Sequence, residues 1–114
     1  MADLSDQTKT EPQPLLDLLL ESDVFLFSGR LSRENAEELL DAVEQIDHRN
    51  QRVSLVLTTH GGDADAAYKI ARCLKFLYDD FTIYVFGPCK SAGTLLVLSA
   101  NSIVMSHRAE LGPL

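Results

Sequence analysis

Apolar positions along the chain alternate between two rhythms. Near-continuous runs at Val24-Phe25-Leu26-Phe27-Ser28, Val53-Ser54-Leu55-Val56-Leu57-Thr58-Thr59 and Phe81-Thr82-Ile83-Tyr84-Val85-Phe86 are each followed closely by glycine. They predict strands, the first covered on both faces. Between them the spacing becomes helical. Ser32 stands as an N-cap before Ala36, Leu39, Leu40, Val43 and Ile46, and Asp63 before Ala66, Ala67, Ile70, Cys73, Leu74 and Leu77. The stretch from Ser91 to about Ala100 is apolar or small nearly all round, which predicts a helix buried in the middle of the molecule. Ser102-Ile103-Val104-Met105-Ser106 predicts a short fourth strand.

Strand and helix in strict alternation predict right-handed β-α-β units and a parallel sheet, an α/β fold. Loops after the carboxyl ends of such strands build the ligand site. Gly29, Gly61, Gly62, Gly87 and Gly112 all follow strands or the loops after them, on that edge. Residues 1–22 are expected to form an acidic tail, disordered over 1–14 with Pro12 and Pro14 opposing helix, then a short helix or docking segment at Leu15–Glu21. Residues 23–114 are expected to form one domain. Glu110-Leu111-Gly112-Pro113-Leu114 opens a further loop where the sequence stops. A domain truncated at its C-terminus, or one that covers its open surface with identical subunits, is therefore expected.

Charge narrows the partners. Ten Lys and Arg against seventeen Asp and Glu give a net charge of -7, with no basic stripe to neutralise phosphates, so no nucleic-acid partner is expected. No apolar run approaches the ~18–20 residues that span a bilayer, and no basic-then-apolar leader opens the chain. A cytoplasmic protein with no membrane segment is the expectation. Cys73 and Cys89 lack metal-ligand spacing and are expected to be reduced thiols. No G-x-G-x-x-G turn is present, and neither metal nor cofactor is expected.

Two loops carry candidate chemistry. Ser91 follows a strand, Gly87 and Pro88, and opens a helix, where unpaired N–H groups and the helix dipole favour developing negative charge. Its hydroxyl either caps that helix or acts as a nucleophile. Gly61-Gly62 either makes a tight strand-to-helix turn or aims N–H groups at an oxyanion. If the two loops converge, the N–H groups of Gly62 and Ala92 can hold a tetrahedral intermediate, each donor contributing about 2.7–4 kcal/mol. Cys89 is read as a small packing residue ahead of a nucleophile, and Asp63 and Asp65 as helix-start residues ahead of an acid pair.

Leu57-Thr58-Thr59-His60-Gly61-Gly62-Asp63-Ala64-Asp65-Ala66-Ala67-Tyr68 with Ile70-Ala71-Arg72, then Lys90-Ser91-Ala92-Gly93-Thr94-Leu95, then Glu110-Leu111-Gly112-Pro113-Leu114, closely resemble the serine dehydrogenase proteinase family. That family is a branch of the clan holding the Clp protease proteolytic subunit and signal peptide peptidase A. The resemblance spans about residues 24–114. It implies a ClpP/crotonase-like sheet, a peptide or protein substrate, homo-oligomers, peripheral membrane association in some relatives, and proteolysis through Ser91 with Gly62 and Ala92 as oxyanion donors.

The general base is where the resemblance stops. Clp-type subunits take a His from further along the chain, and the matching stretch near Leu111–Leu114 has none. Signal peptide peptidase relatives use a Lys. His107 is one candidate, because about ten helical residues run ~15 Å away from Ser91 and five strand residues return ~16 Å. Lys90 is a second, although i,i+1 neighbours point apart, and His60 a third. Glu110 is read as a loop carboxylate, or one that orients a His. A serine peptidase is the leading expectation. A crotonase-like acyl-CoA enzyme and a non-enzymatic scaffold are the alternatives.

Overall fold

A computed structural model describes residues 21–113. The expected tail and, save for Glu21, the expected helix or docking segment lie outside them. The order is β1 (Ser22–Ser28), α1 (Arg33–Glu44), β2 (Arg52–Thr58), α2 (Ala64–Leu77), β3 (Asp80–Val85), β4 (Pro88–Cys89), α3 (Ala92–Ser99), β5 (Ser102–Met105) and β6 (Glu110–Leu111). Four strands form one parallel sheet in the order β1-β2-β3-β5. The fold is α/β with a parallel sheet, as the alternating pattern predicts.

Register explains which residues are inside. Phe25 pairs with Leu55, Leu55 with Ile83 and Ile83 with Ile103, a row across one face. Right-handed crossovers that step one way across a sheet keep their helices on one side. The core unites Val53, Leu55, Leu57, Phe81, Ile83 and Val85 with Val43, Ile70, Leu74 and Leu96 of the helices. Fully burying each large aliphatic side chain contributes roughly 1.5–3 kcal/mol. Ser32 caps α1 by accepting the Asn35 N–H (3.1 Å), and Asp63 caps α2 by accepting the Asp65 N–H (2.9 Å).

Two expectations are corrected by this arrangement of the described helices. Among the described residues β1 is covered on one face: Phe27 is buried, while Val24 and Leu26 are 50% and 71% exposed, because the described helices lie on a single side of this edge strand. α3 is half-buried, with Ala92, Leu96 and Val97 inside and Leu98 63% exposed. An all-apolar helix finds cover for both sides only if something packs on each, and the described elements cover one. In α2 Ala71 joins the buried stripe, Leu77 packs part-buried against the core, and Cys73 is half-buried. Ile46 lies beyond the end of α1 and is half-buried.

Two short elements were not predicted. β4 and β6 pair in parallel, Pro88 with Glu110 and Cys89 with Leu111, so the expected C-terminal loop contains a strand. Thr59, one residue past β2, forms an isolated bridge with Cys89. These pairings fix the loops at the carboxyl edge.

Candidate active site

Thr59 ties the Gly61-Gly62 loop to the Ser91 loop. Its N–H donates to the Pro88 carbonyl (3.0 Å), and its carbonyl accepts from the Lys90 N–H (3.1 Å). Its hydroxyl accepts from the Gly61 N–H (3.0 Å). The next residues are held from the other side: Leu31 donates to the Gly61 carbonyl (2.9 Å) and accepts from the Asp63 N–H (2.7 Å). The turn is thus pinned on both flanks while the Gly62 N–H keeps no acceptor among the described residues.

Both glycines are required. Gly61 has φ +112, and a Cβ there would stand 2.7 Å from Ser91 Cβ and 3.3 Å from Ser91 Oγ. At Gly62, φ +148, a Cβ would fall 2.3 Å from the Leu31 carbonyl oxygen. The two loops expected to converge are therefore in contact.

Ser91 is the one non-glycine residue with positive φ among those described, at φ 55 and ψ -122. Holding such a conformation costs on the order of 1–3 kcal/mol and occurs where the surroundings over-determine it. Ser91 occupies the N-cap position of α3, yet its side chain makes no cap hydrogen bond, unlike Ser32 and Asp63. The hydroxyl is exposed and has no partner among the described residues. A strained, outward serine between a strand and a helix is the layout of a nucleophile elbow. The Ala92 N–H, first in the helix, also has no acceptor among the described residues.

Small residues beneath Ser91 make the close packing feasible. A Cβ on Gly93 would lie 2.5 Å from Thr59 Cγ2 and 2.9 Å from Cys89 Sγ. Cys89 itself is fully buried, and burial pushes its thiol up to about 11. A thiol held neutral at ordinary pH packs and does not attack. Thr94 anchors the helix start by donating to the carbonyls of Cys89 (3.3 Å) and Gly112 (2.9 Å).

The candidate bases are distributed differently. Lys90 Nζ pairs with Glu110 at 3.3 Å, and its stem lies against Gly112, where a Cβ would be 2.8 Å from Lys90 Cγ. The ammonium is directed at β6, and the carboxylate expected to orient a His is the one that holds it. His107 follows β5, exposed, in a turn fixed by Ser106 donating to the Val85 carbonyl (3.0 Å) and Ala109 donating to Ser106 (3.0 Å). His60 is exposed beside Gly61. Neither imidazole hydrogen-bonds Ser91 among the described residues. Asp63 is committed to its cap, and Asp65 is exposed in the first turn of α2.

The sequence pattern of the Clp protease family matches residues 7–110. The chain belongs to that family. Among curated proteins it resembles two uncharacterized proteins of Methanocaldococcus jannaschii. It is 35% identical to MJ0137 over 80 residues, which are 70% of this chain and 28% of that protein. To MJ1495 it is 32% identical over 80 residues, 70% of this chain and 27% of that protein. The chain thus spans under a third of these relatives.

Solved structures share the fold. The ClpP protease catalytic domain from Plasmodium falciparum superposes with TM-score 0.61 at 14% identity, over 71% of this chain and 53% of that one. The 1510-N membrane-bound stomatin-specific protease, a K138A mutant in complex with a substrate peptide, gives 0.59 at 24% identity, over 75% of this chain and 42% of that one. No described helix is long and apolar enough to cross a membrane.

The tying role of Thr59 is absent from the reading of the sequence. Thr59 carried a signal, a hydroxyl ending an apolar run just before the glycine pair. Gly93, with Ala92, reads in the sequence as a small residue that lets another chain's backbone come close, and its neighbours in the structure are Thr59 and Cys89. A larger hollow, about 820 Å³, lies between α1 and α2 beside Tyr68 and Phe76 and reaches Ser99. Ser99 is at the far end of α3 from Ser91, about 12 Å along the axis, so that hollow is not part of this site.

Proposed function

We propose that this chain carries the nucleophile and oxyanion donors of a serine peptidase of the serine dehydrogenase proteinase type. The observation that carries this reading is the uncapped, exposed, positive-φ Ser91 packed against Gly61. Ser91 Oγ attacks the scissile carbonyl carbon, and the carbonyl electrons move to oxygen between the N–H groups of Gly62 and Ala92. The Ser91 proton passes to a base. Lys90 is engaged by Glu110, and of the exposed His107 and His60 we take His107 as the base, because the helix and strand lengths return it to the level of Ser91. The C–N bond then breaks and the amine leaves with that proton. Water adds to the acyl-serine ester and releases the second product as a carboxylic acid.

The substrate is a peptide or unfolded protein, and the chain self-associates. In support, Leu95 and Leu98 of α3 and Ile103 and Met105 of β5 leave exposed apolar surface next to the open edge of the sheet. Hydrolysis of a fluorogenic peptide library tests the activity. Ser91→Ala is expected to reduce turnover on the order of 10³-fold or more. Equal turnover in Ser91→Ala would overturn the assignment.

A further inference from the structure

A hollow of about 410 Å³ opens at the carboxyl ends of β1 and β2, with Gly61 and Gly62 in its lining. Ser28 and Arg30 line it from the first strand, and Thr58 and His60 from the second. At Gly29, which also lines it, φ is +136 and no atom lies within 4 Å of where a side chain would begin. Gly61 lines the hollow and also approaches Ser91, whose Cβ would stand 2.7 Å from a Cβ added to it.

Its charge is unbalanced. Ion pairs among the described residues join Arg52 to Glu21, Lys69 to Glu37 and Lys90 to Glu110, and Arg30 is in none of them. The chain holds seventeen acidic residues, yet none lines this hollow. Asp63 and Asp65, close in sequence, instead line a separate hollow with Arg33 and Lys69. The hydroxyls of Ser28 and Thr58 have no partner among the described residues either. A permanently charged guanidinium, a ring N–H and two hydroxyl donors around one space match a carboxylate, which accepts at both oxygens.

We infer that this hollow is a specificity subsite that receives a carboxylate of the peptide substrate, gripped by Arg30 with His60 beside it. The inference rests on Ser91 being the nucleophile, because only then does a peptide lie over the Gly61-Gly62 turn. The carboxylate belongs either to an Asp or Glu side chain or to the peptide's own C-terminus.

Matched fluorogenic peptides carrying Asp, Asn or Lys at each position flanking the cleaved bond, each with a free or an amidated C-terminus, test it. At one position, or with the free terminus, kcat/KM is expected to exceed that of the neutral match about tenfold, as a charge-assisted contact provides. Arg30→Glu is expected to invert the order in favour of the Lys peptide. The preference of the unaltered chain needs no variant, so a misfolded Arg30→Glu protein leaves the test intact. Equal rates for Asp, Asn and amidated peptides would overturn the subsite. Fluorophosphonate modification of Ser91 in the same sample separates the causes: modification with a flat profile sinks the subsite alone, and no modification sinks it together with the peptidase reading.

Discussion

A side chain added to Gly61 would meet Ser91 at 2.7 Å from its Cβ and 3.3 Å from its hydroxyl oxygen. Residues thirty positions apart are brought to contact by Thr59, which bonds the backbone on both sides of Cys89 and the amide of Gly61. Gly61→Ala therefore strains its own φ of +112 and displaces Ser91. The expected loss of stability is roughly 1–3 kcal/mol, with at least an order of magnitude off the rate of acylation. Thermal melting and acylation rate check this, and an unchanged rate would mean that the turn does not position the hydroxyl.

Gly93 packs on Thr59 Cγ2 and Cys89 Sγ. Gly93→Ala is expected to destabilise the fold by about 1–3 kcal/mol, as overpacking does. Thr59→Ser removes the methyl group at 2.5 Å and is expected to return part of that loss in the double variant. Denaturant midpoints of the four proteins measure the coupling.

Burial raises the Cys89 thiol to about 11 from an ordinary 9.0. Since the unfolded chain releases this proton first, the group's contribution to stability is whole below pH 9 and is lost as pH rises toward 11. Iodoacetamide at pH 8 is expected to spare Cys89 in the native protein and to modify it in denaturant, read by peptide mass. Rapid native modification would show that the packing beneath Ser91 is open.

Lys90 and His107 separate cleanly by substitution. The Lys90–Glu110 pair is exposed on both sides, so Lys90→Met is expected to cost less than about 1 kcal/mol. His107→Ala is expected to lower kcat about 10²–10⁴-fold, the usual contribution of a positioned base. A larger kcat loss in Lys90→Met than in His107→Ala would transfer the role to the lysine.

The alternating architecture was legible because buried parallel strands and amphipathic helices write different periods. Phe81, Ile83 and Val85 or Ile70 and Leu74 announce their faces locally. The loops after the strands were legible from glycines and Ser91, since backbone freedom and a helix-start hydroxyl are local properties. What β1 and α3 leave uncovered was not legible, because Leu26 and Leu98 look the same in sequence whether or not something packs on them. The β4–β6 pairing was hidden for a related reason. Pro88-Cys89 and Glu110-Leu111 are too short to show a period, and their register follows from contacts made after the chain has folded. Likewise, nothing beside Lys90 in the sequence tells that Glu110 receives it.

The most direct measurement is intact-protein mass after exposure to a fluorophosphonate, with the adduct mapped by peptide sequencing. One adduct per chain on Ser91, absent from Ser91→Ala and slowed in Gly61→Ala, is the predicted result. No adduct on the assembled protein, or one that persists in Ser91→Ala, would contradict the account.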